Sequence, residues 1–278
     1  MLELKIVYDK KDNNSSGYKM SMLRQIFSAL EDLVENVVLK FTEQHIKAQV
    51  IDSMHVCLCD ISINSNLFSS YKCDNELNIT LPLKTFNAIF KNMNVATEDS
   101  ELKIFIDKTI SKTASENSSN ATVDTANTLT IVNKNSMCQF KNTIALLDSN
   151  SPEFILPQDE FANEIEITTE GFRLMKSMGG LFGTKVLFQI SQDKFIIKSG
   201  SDGTESLLCF KANDNKAVTI NSTNPTEVEI SKNYLDIIQK IFTLSSKMKI
   251  NISQGSPVLF ELSLHEYGYV NFFIAPQA

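Results

Sequence analysis

One pattern occurs twice in this chain of 278 residues, and it limits the fold more than any single motif. The run Leu77 to Lys91 (LNITLPLKTFNAIFK) returns in pattern as Val228 to Lys240 (VEISKNYLDIIQK). Each copy is an extended apolar segment, then a short amphipathic helix that ends on a lysine. A further strand follows each, Leu102 to Ile106 or Met248 to Ile252. A strand-helix-strand unit in both halves predicts two copies of one domain.

Bulk composition agrees. With 42% hydrophobic and 21% charged residues, the chain carries enough apolar material to fold, and its length is near the limit for one core. A net charge of -7 argues against a surface that grips nucleic acid everywhere but permits a local basic face. Met1 to Lys10 holds no apolar leader-like run, and no stretch approaches a membrane span, so a soluble intracellular protein with no membrane partner is expected. Five scattered cysteines do not make a disulfide framework. His55, Cys57 and Cys59 alternate and on a strand would share a face, but no second ligand pair stands at zinc spacing. The expectation is half-buried strand residues, with no metal and no cofactor.

Along the chain, Leu2 to Tyr8 reads as a strand, Asp9 to Ser16 as a loop, and Ser21 onward as a helix with Leu23, Ile26, Phe27, Leu30, Leu33 and Val34 on one stripe. Val37 to Phe41, Ile46 to Val50 and His55 to Ile63 read as strands, and Leu129 to Val132 as another. The polar run Thr109 to Asn120 reads as loop. Pro152 and Pro157 bar residues 144–158 from an inner strand, so this segment is the expected connector between domains 1–143 and 159–278. Its apolar residues fit either packing on the nearby domain or docking of a partner. The second half opens with a strand, Ile165 to Thr168, and a helix from Thr169 to about Leu181. Strands Val186 to Ile190, Phe195 to Lys198 and Leu207 to Lys211, a helix Lys232 to Phe242 and a terminal hairpin, Val258 to Leu264 with Tyr269 to Ile274, complete an α+β chain with two helices per half.

No catalytic constellation assembles. His45 and His265 have no nucleophile beside them in the sequence, and Gly179 to Lys185 (GGLFGTK) has the wrong spacing for a phosphate loop, with Thr184 before Lys185. A non-enzyme is expected. What remains is positive charge on the helices: Arg24, Lys84, Lys91, Arg173, Lys176, Lys232 and Lys240. A lysine on a helix is commonly just its wet face, but if the helices of both halves share a side these cations become one basic lining.

Several segments in order carry a family likeness: Leu23-Arg24-Gln25-Ile26-Phe27-Ser28-Ala29-Leu30-Glu31-Asp32-Leu33-Val34, Ile51-Asp52-Ser53-Met54-His55-Val56-Cys57-Leu58, Tyr71-Lys72-Cys73-Asp74, Phe154-Ile155-Leu156-Pro157, Asn233-Tyr234-Leu235 and the terminal Ile274-Ala275-Pro276. Together they resemble the eukaryotic sliding clamp, proliferating cell nuclear antigen. The resemblance implies the DNA clamp fold, a ring of three identical subunits with helices lining the hole, and a nuclear, non-enzymatic processivity factor in DNA replication and repair. It implies encircled double-stranded DNA, a DNA polymerase, a clamp loader and other client proteins as partners, the proteins docking through short peptide motifs. A subunit of a heterotrimeric checkpoint-type clamp is the alternative.

Carried over residue by residue, the basic lining falls on Arg24, Lys91 and Lys240, with Lys84, Arg173, Lys176 and Lys232 as neighbours. Glu31, Ala88 and Ser177 stand where the family has cations, which thins the lining. The peptide pocket maps to Ile51, His55, Leu58, Phe154, Leu156, Pro157, Pro257, Phe273, Ala275 and Pro276. The resemblance implies subunit contacts between edge strands, Thr128, Leu129, Ile131 and Asn133 meeting Glu205, Leu207 and Cys209, with Asn133 replacing an aromatic residue.

Overall fold

The computed structural model describes residues 1–8, 15–93, 95, 100–106, 128–147, 154–157, 160–179, 183–201, 203–212 and 217–277. The expected loop 109–120, most of the expected loop 9–16 and Pro152 lie outside them. In the first half the described elements are β1 (Leu2–Val7), α1 (Ser15–Glu31), β2 (Asn36–Phe41), β3 (His45–Ile51), β4 (Cys57–Asn64), β5 (Ser70–Cys73), β6 (Leu77–Pro82), α2 (Leu83–Phe90), β7 (Glu101–Ile106), β8 (Thr128–Lys134) and β9 (Gln139–Ala145). The second half has β10 (Asn163–Thr168), α3 (Thr169–Gly179), β11 (Lys185–Ile190), β12 (Lys194–Ser201), β13 (Thr204–Lys211), β14 (Val218–Ser222), β15 (Thr226–Ser231), α4 (Lys232–Gln239), β16 (Lys247–Ile252), β17 (Val258–Ser263) and β18 (Gly268–Ile274).

The two halves therefore follow the same element order, and their strand pairings correspond as well. β1 pairs with β5 and β7 as β10 pairs with β14 and β16. β2 pairs with β3 and β6 as β11 pairs with β12 and β15. β7-β8-β9 matches β16-β17-β18. The repeat read from one strand-helix-strand unit extends over the whole of each half.

The described chain forms two compact units. The first holds Met1–Glu31, Glu35–Ala48 and Ile63–Pro152; the second holds Asp32–Val34, Gln49–Ser62 and Glu153–Ala278. In the first unit, α1 and α2 cover the sheet through an aromatic cluster. Phe86 stacks on Phe90 at 4.9 Å between ring centroids, and Phe27 lies 4.7 Å from Phe86. Inward residues of β1 and β7 (Leu2, Leu4, Ile6; Leu102, Ile104, Ile106) are buried in strict alternation, as strands with one wet face require. In the second unit, Phe188 contacts Phe195 and Phe260, and Phe172 of α3 meets Phe242. Wholly buried Asn163 is kept polar without penalty: its amide donates to Thr226 and to the Ile252 carbonyl and accepts from Ser222.

α3 starts where Thr168 Oγ1 accepts the Gly171 N–H at 3.2 Å, and its Glu170 and Lys176 complement the helix dipole. Gly171 is required by space, because a Cβ there would lie 2.9 Å from the Ala217 carbonyl oxygen. α1 begins at Ser15, six residues before the expected start at Ser21, and the short polar strands β5, β9 and β14 have no counterpart in the sequence reading. The first two residues of the expected connector, Ile144 and Ala145, belong to β9.

Truncating the aromatic cluster tests this core. Phe86→Ala is expected to lower stability by about 3–5 kcal/mol, read from urea denaturation, because the stacked neighbours cannot close the space.

Candidate nucleic-acid interface, partner site and strand edges

The basic residues fall on or beside the helices, but their charges are not equally available. Lys84 (α2), Lys91 (just past α2) and Arg173 (α3) are exposed and form no ion pair among the described residues. Arg24 is half-buried against α2, its guanidinium donating to the Phe90 carbonyl at 3.3 Å. Lys240 pairs with Asp32 at 2.6 Å. Lys176 and Lys232 both pair with Asp236, the latter at 3.2 Å from one turn earlier on α4. Of the positions lacking an expected cation, Glu31 accepts from Asn87 at 2.7 Å.

The expected peptide pocket draws on several segments of the second unit. Leu58 lies on β4 and Phe273 on β18, its neighbour in that unit's sheet, and the Ala275 N–H donates to the Val56 carbonyl at 2.8 Å. Pro257 precedes β17 and Pro276 follows β18; Ile51 ends β3. The turn between β3 and β4 is built on one buried carboxylate. Asp52 accepts the N–H groups of Met54 (3.2 Å), Val56 (2.8 Å) and Cys57 (2.6 Å), and the Tyr234 hydroxyl at 2.9 Å. That grip carries His55 into the left-handed region at φ 58°, exposed at the turn. His55 is therefore off the strand and does not share a face with Cys57 and Cys59, which are wholly buried. Among the described residues no three metal-ligating side chains converge.

A glutamine ties down the connector. Gln49 accepts the Phe154 N–H at 2.9 Å and donates to Asp60 Oδ1 at 3.1 Å. Phe154, Leu156 and Pro157 are half-buried, while Ile155 is 94% and Met54 76% exposed, which leaves large apolar side chains uncovered beside the turn. Tyr269 lies beside Asp60, and burial together with that carboxylate pushes its phenol up to about 12.

The strand edges differ from expectation. β8 is paired on both sides, with β7 and with β9, and its Leu129, Ile131 and Asn133 are buried. Thr128, Leu129, Ile131 and Asn133 thus lie on an inner strand, and Asn133 donates to the Glu101 carbonyl at 3.2 Å. The strand outside β8, at the edge of that sheet, is β9, where Phe140 stands 58% exposed. Glu205, Leu207 and Cys209 do lie on an edge strand, β13.

The family model described as "Proliferating cell nuclear antigen, N-terminal domain" matches residues 16–136, and that described as "Proliferating cell nuclear antigen, C-terminal domain" matches 156–277. The chain belongs to the proliferating cell nuclear antigen family. Its α+β halves have the DNA clamp fold. Proliferating cell nuclear antigen of Caenorhabditis elegans is 22% identical over 261 residues, covering 92% of this chain and 93% of that protein. The protein of the same name from Dictyostelium discoideum is 24% identical over 265 residues, covering 92% and 96%.

β9 has little sequence signature; its clue is Phe140, a phenylalanine among polar residues.

The Asp52 turn has a pH signature. Burial acts to raise the carboxyl's pKa, but the Cys57, Tyr234, Val56 and Met54 hydrogen bonds outweigh it and hold the value below the ordinary 3.8. The stability this supplies is complete above pH 3.8 and is lost as pH falls through the lowered folded value. Thermal melting from pH 7 to 3 is expected to show wild type more stable than Asp52→Asn at neutral pH, with the gap narrowing only on the acid side.

Proposed function

We propose that this chain is a sliding clamp and DNA polymerase processivity factor, a nuclear ring of three copies that encircles duplex DNA and docks replication and repair proteins. One observation carries the reading. Within the second unit, β18, the last strand of the second half, is neighboured by β4, the fourth strand of the first half. Because the halves repeat, the counterparts of β18 and β4 are β9 and β13, and among the described residues these two edges have no outer neighbour. Joining β9 of one chain to β13 of the next would reproduce between chains the junction already made within one. Such a contact is heterologous, and it closes into a ring when its rotation divides a full turn. Six like domains then surround the duplex, and pairing removes two exposed edges that otherwise invite aggregation.

On this reading the expected domains 1–143 and 159–278 hold, with the first extended by β9 through Ala145 and the remainder of 144–158 joining them. Lys84, Lys91 and Arg173, with Arg24, Lys176, Lys232 and Lys240 beside them, face the phosphates. Contacts there must be few, because each adds about 0.9 to the salt slope and a deep grip would stop sliding. Ile51, His55, Leu58, Phe154, Leu156, Pro157, Pro257, Phe273, Ala275 and Pro276 form the docking hollow, where an apolar short helix of a polymerase, clamp loader or other client seats its anchors. The protein holds DNA and partners and performs no chemistry of its own.

The test is topological. The purified protein is expected to have about three times the 31.2 kDa chain mass. Placed on a nicked circular DNA by a clamp loader with ATP, it should stay bound and then leave when the circle is cut. A chain that remains monomeric favours the checkpoint-type heterotrimer, and binding indifferent to cutting contradicts encirclement.

A further inference from the structure

The cluster formed by Lys176, Lys232 and Asp236 is not explained by packing alone. Asp236 lies on α4 with one carboxylate oxygen on Lys232 and the other on Lys176, which reaches across from α3. The lysine side chains are only 17% and 22% exposed, so their stems lie against the protein while their ammonium groups converge on one anion. Burial, then the nearby charge of Lys232, holds the Lys176 pKa below its ordinary value, so crowding two cations here is costly unless an anion separates them.

We propose that Asp236 acts as a built-in substitute for a DNA phosphate, masking Lys176 and Lys232 so that the second half offers the duplex fewer exchangeable contacts. The inference rests on the clamp reading above, in which α3 and α4 face DNA. A phosphate can gain either lysine only by displacing a carboxylate fixed on the same helix surface, at an effective concentration that diffusing salt does not reach. Masked lysines neutralise no phosphates and so release none of the cations condensed on the DNA, and they contribute little to the salt dependence of binding. Lys84, Lys91 and Arg173, exposed and without ion pairs among the described residues, carry the wild-type contact. Asp236 thereby sets how loosely the ring holds its track. This effect is separate from the cations missing at Glu31, Ala88 and Ser177.

The experiment is a salt titration of binding to a short fluorescein-labelled duplex, followed by anisotropy. Asp236→Asn keeps the side-chain volume, and Asp236→Ser serves as a second carboxylate removal if the first alters folding as judged by thermal melting. Either is expected to steepen the plot of log Kd against log salt by ~0.9 for each lysine released, which amounts to ~12-fold more affinity lost between about 50 and 200 mM salt when both are freed. Adding Lys176→Met and Lys232→Met to Asp236→Asn should return the slope to that of wild type. An unchanged slope in both Asp236 variants overturns the masking. So does a steeper slope that survives removal of the two lysines, because the effect would then be general charge. If wild type and variants alike show no salt-dependent affinity for duplex, the masking fails together with the DNA reading beneath it.

Discussion

A strand edge carries backbone N–H and C=O groups that need partners, and an edge left open in a folded protein is answered by assembly or by aggregation. Among the terminal strands of the described sheets are β9 and β13. β18 and β4 are their counterparts in the repeat, and those two strands are neighbours within the second unit. The duplicated topology thus turns a local demand, hydrogen bonds for two open edges, into a directional one. Each chain presents one edge of each kind, and on the clamp reading a neighbouring chain supplies the match. Exposed Phe140 on β9 and Leu207 on β13 add apolar area to the same edges, beyond what the backbone provides.

Charge sets the second constraint. An acidic body with a net charge of -7 repels DNA at long range, so any attraction must come from a restricted face. The chain holds the cations of its helices in two ways. Some are exposed with no ion pair among the described residues, as at Lys84, Lys91 and Arg173, and others are paired, as Lys240 is with Asp32 and as Lys176 and Lys232 are with Asp236. A solvent-exposed ion pair such as Lys240–Asp32 contributes only about 0–1 kcal/mol to stability, so the larger consequence of such pairing is for what the helices present to a polyanion. For a ring that holds its substrate by closure, weak contact is compatible with long residence.

Much of this was legible in the sequence, and the failures share a cause. Strands with one dry face, such as Leu2–Val7 and Asn163–Thr168, announce themselves through alternation, and α2 and α4 through their apolar stripes. β9, with sequence QFKNTIA, buries only Ile144, and β5 buries nothing fully; an edge strand with little core contact leaves no alternating pattern to read. The residues to which the resemblance carries the subunit edge lie instead on β8, whose Leu129 and Ile131 are buried. His55 was drawn into a strand because a turn at Asp52-Ser53 looked complete. The Asp52 carboxylate, by collecting three backbone N–H groups, extends that turn to Val56. The Lys232–Asp236 pair could be read from its helical spacing, whereas Lys176 lies on a different helix and its partner follows only from the fold.

The central claim is that β9 of one chain joins β13 of another, and cross-linking addresses it directly. With a photoreactive benzoylphenylalanine in place of Phe140, and unlabelled chains mixed with isotopically heavy ones before irradiation, mass spectrometry identifies both the peptide reached and the chain that owns it. Edge pairing requires cross-links between light and heavy chains that fall within Thr204–Lys211. Cross-links confined to a single chain, or spread over surfaces away from β13, would contradict it.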